Sequence, residues 1–171
     1  MRKYVSLSLL LLMTVVTFFG CAGMGYVWKS DPETQTVSNE YFDAQLEPFC
    51  SAGGCTAFVL TIKNKSDKNL ELNWNKTLFV NHGQTSGGFM FEGVVFKDRN
   101  NPKPPDVIFP NGHLVKSIYP NNLVGFYSGK YARWYHSPMD SGMNGAYLSV
   151  IVDGKEINEK LTVNLSRTEQ K

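Results

Sequence analysis

Alternation of apolar and polar positions dominates the chain from about residue 40 onward. Phe58, Leu60 and Ile62 lie on one side of an extended segment and Thr61 and Lys63 on the other, the two-residue period of a half-buried strand. Leu70, Leu72 and Trp74 alternate in the same way with Glu71, Asn73 and Asn75. The polar stretch Asn64–Asn69 between them predicts a hairpin, with Trp74 as the plug of its core. Further strands are expected at Tyr41–Glu47, Thr77–Asn81, Phe89–Lys97, Val107–Phe109, Leu114–Tyr119, Leu123–Tyr127, Ala146–Val152 and Ile157–Leu165. Asp153-Gly154 joins the last two as a tight-hairpin signal. Pro102, Pro104 and Pro105 keep residues 98–106 out of a sheet interior, and residues 128–144 are the least regular part of the chain. No window shows a sustained helical period, and no internal repeat is visible. About eight short strands with frequent turns predict an all-β fold, an antiparallel immunoglobulin-like β-sandwich over residues 40–166 with a polar tail at 167–171. A small closed barrel is the alternative.

The pattern ahead of residue 40 is different. Arg2 and Lys3 precede a mostly apolar run, Leu7–Phe19, that ends at Gly20-Cys21. This is the order of charge, apolar run and small residue found in an export signal, and the run is shorter than the roughly 20 residues that span a bilayer. Gly20-Cys21 at the edge of the run resembles the lipobox of bacterial lipoproteins. The resemblance implies that residues 1–20 are a leader and that Cys21 is acylated and becomes the mature N-terminus. It also implies sorting to the outer membrane of a Gram-negative cell, because Ala22 stands where the family places Asp for inner-membrane retention. An ordinary signal peptide with an incidental cysteine and an uncleaved anchor are the other readings. Residues 21–39 are small and polar and read as a flexible tether. Tyr26, Val27 and Trp28 are its exceptions, placed at the bilayer interface or docked back on the domain.

Charge changes meaning once the leader is set aside. The chain has 17 Lys and Arg against 15 Asp and Glu, and removing Arg2 and Lys3 leaves 15 of each sign. A near-neutral domain lacks the basic face that nucleic acid requires. About 150 remaining residues suffice for one domain with a genuine core. Of the three cysteines, Cys21 belongs to the lipid reading, which leaves Cys50 and Cys55 to pair in an oxidising compartment. They enclose Ser51-Ala52-Gly53-Gly54, a turn sequence, so a structural disulfide fixing that turn is expected, with Cα atoms about 4.4–6.8 Å apart.

Motifs for chemistry are sparse. His82, His113 and His136 have no ligand-like spacing, so no metal site is expected, nor any cofactor. The glycine-rich stretch His82–Gly88 lacks the ending of a phosphate loop, and no Gly-x-Ser-x-Gly elbow is present. Sequons begin at Asn64, Asn75 and Asn164, read here as polar strand ends. One segment stands apart: Phe126–His136 holds five aromatic residues, Phe126, Tyr127, Tyr131, Trp134 and Tyr135, with Lys130 and Arg133. Tyr127, Tyr131, Arg133, Trp134 and Tyr135 are the candidate binding surface, for a glycan or a protein. The competing reading is a cover over one open end of the core.

The order Phe58-Val59-Leu60-Thr61-Ile62-Lys63-Asn64-Lys65-Ser66, then Leu72-Asn73-Trp74, then Ile108-Phe109-Pro110-Asn111-Gly112 before Ile118-Tyr119-Pro120 resembles bacterial envelope lipoproteins with uncharacterised sandwich domains. The resemblance covers about the middle half of the chain and implies no catalytic residues. The expected function is therefore a non-enzymatic binding or structural role in the cell envelope. The partners are the membrane through Cys21 and an envelope protein or glycan. The alternative is an envelope hydrolase with an active site on loops 82–88 and 136–144. Cys21→Ser is expected to release the protein from the membrane fraction or leave it uncleaved. Metabolic fatty-acid labelling checks this, and equal labelling of parent and variant would remove the anchor.

Overall fold

The computed structural model describes residues 26–169; the leader, Cys21, residues 22–25 and residues 170–171 lie outside it. Fourteen strands follow one another: β1 (Tyr26–Asp31), β2 (Gln35–Ser38), β3 (Phe42–Ser51), β4 (Gly54–Asn64), β5 (Leu70–Leu72), β6 (Leu78–Asn81), β7 (Gln84–Thr85), β8 (Phe89–Met90), β9 (Asp106–Ile108), β10 (His113–Pro120), β11 (Val124–Tyr127), β12 (Arg133–His136), β13 (Gly142–Val152) and β14 (Lys155–Glu169). Among the described residues the only helical pieces are the short 3-10 turns Phe96–Asp98 and Asn121–Leu123.

The strands form an antiparallel sandwich. One sheet runs β1-β14-β13-β5-β9, with β6 also paired to β13 and β7 to β6; the other runs β2-β3-β4-β10-β8. Their inner faces interleave as the period-two pattern requires. Phe42, Ala44 and Leu46 of β3 and Phe58, Leu60 and Ile62 of β4 meet Ala146, Leu148 and Val150 of β13 and Leu161, Val163 and Leu165 of β14, all buried. Phe58 and Phe79 bring ring centroids to 6.5 Å across the layers. The β13–β14 hairpin turns on Asp153 and Gly154 at φ 49° and 76°, the positive dihedrals of the turn that the Asp-Gly pair predicts.

The strands around residues 58–62 and 70–74 are not a hairpin. β4 pairs with β3 and β10, whereas β5 pairs with β13 and β9 in the opposite layer. The inward faces are nevertheless the expected ones, because Leu70, Leu72 and Trp74 face the same core from the other side. Asn64 makes the corner. Its buried side-chain amide donates to the Lys68 and Ile108 carbonyls at 2.7 and 3.0 Å and accepts from the Ser66 backbone N–H and hydroxyl at 2.9 and 2.8 Å.

The tether and tail readings are corrected over the described residues. Tyr26–Asp31 pairs with Asn164–Glu169, and Gln35–Ser38 pairs with Asp43–Leu46, so β1 and β2 are edge strands of the two sheets and the C-terminal residues continue β14, which lies between β1 and β13. Their polar residues face solvent while Trp28 and Val37 pack on the core. The strand expected over Phe89–Lys97 stops at Met90, ended by the turn at Glu92-Gly93, with Gly93 at φ 92°. The count of about eight is low because β1, β2, β7 and β12 are short or peripheral strands whose alternation is too weak to read.

Cys50 and Cys55 are bonded at the tip of the β3–β4 hairpin. Their Cα atoms are 3.9 Å apart, closer than expected, because the two residues sit directly opposite each other across the ladder next to a register shift at Phe49/Cys50.

Trp74 is buried at 3% exposure. Its indole N–H donates to Asp106 Oδ2 at 2.8 Å, its ring lies 4.4 Å from that of Phe91, and Lys116 ion-pairs with Asp106 while sitting 4.3 Å above Phe91. Trp74→Ala is expected to destabilise by about 3–5 kcal/mol, a large part of the 5–15 kcal/mol of a typical domain. Glu71→Ala, on the exposed face of β5, is expected to cost less than about 0.5 kcal/mol. Urea unfolding of both checks the register; similar small effects would reverse the assigned faces.

Candidate binding surface

β11 and β12 form a two-stranded ribbon outside both layers. Its base is tied to the sandwich. Val124 is buried, the Ser137 N–H donates to the Leu123 carbonyl at 2.8 Å, and His136 stacks on Tyr119 at 4.3 Å. Beyond the base the register sets Gly125 opposite Tyr135, Phe126 opposite Trp134 and Tyr127 opposite Arg133. Phe126 and Trp134 meet edge to face at 5.2 Å, and Phe96, from the loop before β9, completes a trio at 6.1 and 5.0 Å. Arg99 covers the remaining face of Phe96 at 4.0 Å. Cross-strand aromatic contacts of this kind hold a ribbon that has no sheet on either side.

The glycines give the rings their places. A Cβ on Gly125 would lie 2.0 Å from Tyr135 Cζ, and one on Gly129 would lie 2.4 Å from Tyr127 Cε1, so each ring lies across a bare stretch of backbone. The sequence segment contains the signal, an aromatic residue facing a glycine across a turn, but it is readable only once the register is known.

Every residue of the sequence-predicted surface is exposed: Tyr127, Tyr131, Arg133, Trp134 and Tyr135. Tyr131 reaches 74% exposure and Trp134 39%, against 3% for Trp74. The tip therefore covers nothing, while the base shields Val124 and leans on Phe96. Residues that sequence reasoning did not place here are Phe96, Arg99, Tyr119 and Glu92. Tyr119, Trp134 and His136 line an open cleft of about 400 Å³ together with Met90–Val94, and Glu92 is its one acidic group. Partial desolvation of the His136 ring, which stacks on Tyr119 while keeping an exposed edge, lowers its pKa below the ordinary value and favours the neutral form.

The loops named for a hydrolase have a different arrangement. Asp140 uses its backbone carbonyl to accept from the Asn144 side chain at 2.7 Å, and His82 lies against Gly142. Among the described residues no hydrogen bond joins His136 to Asp140 or Ser141, and no three His, Cys, Asp or Glu side chains gather as a metal site. His82, His113 and His136 are separate and exposed. Cys21 lies outside the described residues.

No protein family matches the sequence, and no curated protein matches it. A solved structure described as the X-ray structure of Northeast Structural Genomics Consortium target SoR45 is similar over 82% of this chain and 85% of that one, at 14% identity and a TM-score of 0.35. A likeness this distant carries no functional argument.

Gly125→Ala is expected to push the Tyr135 ring off β11 without unfolding the domain. The shift in Tm should stay under about 2 °C, as for a surface change below roughly 0.5 kcal/mol, while the Tyr135 ring resonances move. An unmoved ring, or loss of several degrees, would contradict the packing of ring on glycine.

Proposed function

We propose that the protein is a lipid-anchored lipoprotein of the Gram-negative outer membrane, acylated at Cys21, with a non-enzymatic sandwich domain that holds an envelope partner through the β11–β12 ribbon. The supporting observation is the exposure of Phe126, Tyr127, Tyr131, Trp134 and Tyr135 on one small ribbon carrying Lys130 and Arg133. Most other large apolar side chains of the sandwich are buried in its core. Tyr, Trp and Arg are the residues that most often anchor binding energy, and their flat faces also stack on sugar rings. The ribbon projects from the layers on a packed aromatic base, so its rings are held in place before a partner arrives, which lowers the ordering cost of binding.

Tyr131→Ala and Trp134→Ala test this. Capture of the partner from crosslinked envelopes, or of purified peptidoglycan or lipopolysaccharide, is expected to weaken by about 2 kcal/mol or more, roughly thirtyfold. Tm should be nearly unchanged for Tyr131→Ala. Trp134→Ala is expected to lose some stability, because Trp134 also packs on Phe96. Full capture by Tyr131→Ala would return the ribbon to a structural role.

A further inference from the structure

The first strand begins much closer to the anchor than a tether of residues 21–39 would allow. β1 starts at Tyr26, five residues after Cys21, and an extended chain spans at most about 3.3–3.6 Å per residue. Tyr26 is therefore held within about 17 Å of the Cys21 backbone. One end of the sandwich surrounds this point. A cleft lined by Tyr26, Val27, Trp28, Cys50, Ser51 and Ala52 sets the start of β1 against the disulfide-closed tip of the β3–β4 hairpin. Arg167, near the end of β14, stacks 3.5 Å over the Tyr26 ring. The rim exposes Tyr26 at 38% and Phe49 at 61%.

We propose that this rim docks on the phospholipid bilayer that carries Cys21, with Tyr26 and Phe49 entering its headgroup layer. The inference rests on acylation of Cys21. Aromatic residues favour the membrane interface, where a ring is half in hydrocarbon and its edge stays wet. The covalent anchor keeps the local concentration of the rim at the bilayer high, so weak contacts suffice. Lys29 and Arg167 are offset by Glu33, Glu47 and Glu169 around the same end, so the contact depends on the rings and the disulfide-closed hairpin rather than on anionic lipid. β14 runs 15 residues away from this end, about 50 Å at 3.3 Å per residue. The Asp153–Gly154 turn is then the point farthest from the membrane.

The test uses the full chain in native envelopes containing a phospholipid with a photoreactive group beside its headgroup, with fatty-acid labelling in parallel. Crosslinks are expected several-fold more often in the peptides holding Tyr26–Trp28 and Phe49–Gly53 than in those holding Asn64–Asn69 or Asp153–Gly154. A Phe49→Ser variant should lose the hairpin crosslinks, keep the fatty-acid label and melt at the parent temperature. High salt should leave the pattern in place. A labelled protein with crosslinks spread evenly, or concentrated at Asp153–Gly154, overturns the docking and leaves the anchor standing. Absence of label overturns both.

Discussion

The corner at Asn64 decides which layer each later strand joins. A β-strand leaving β4 could turn back beside it or cross to the opposite sheet, and the two outcomes build different folds. Asn64 makes the second outcome specific because its buried amide has both donors and its acceptor oxygen occupied, by Lys68, Ile108 and Ser66. A buried amide satisfied in this way is worth most where no water can replace its partners. Its backbone N–H donates to the Gly112 carbonyl at 2.9 Å, which ties the turn before β10 to the same point. One side chain thus joins β4, the β4–β5 loop and β9. That junction adds to the β5–β13 and β5–β9 pairing in setting Leu70 and Leu72 opposite Phe58, Leu60 and Ile62 across the core.

Faces proved easier to read than partners. The alternation at Phe58–Ile62, Leu70–Trp74 and Ala146–Val152 correctly divides inside from outside, since burial alone enforces a period of two. Pairing depends on contacts between distant residues, and Leu70–Leu72 looks the same in sequence whether it joins β4 or β13. Edge strands escape for the opposite reason. Gln35–Ser38 and Tyr26–Asp31 bury only alternate, small parts of themselves and resemble a linker.

The ribbon was half legible. Its aromatic content is plain in the sequence, and so are the exposed candidates. β12 was not, because all four of its residues face solvent and therefore show no alternation. What holds it is Phe96, 38 residues before Trp134 in the chain and placed on a 3-10 turn. The Cys50–Cys55 pair was the most readable feature, since a short spacing with two glycines leaves the thiols little choice of partner.

The pairing of β1 with β14 has a kinetic meaning. Tyr26 meets Glu169 and Asp31 meets Asn164, so the first strand finds its neighbour only when nearly the whole domain has been made. Contacts at this separation carry the largest loop-closure cost and are associated with slow folding. Until β14 arrives, β1 and the edge of β13 present unpaired backbone, a surface prone to joining other chains. A chain made from its N-terminus meets that interval on every copy. Its exposure to aggregation is set by how long Lys155–Glu169 takes to emerge.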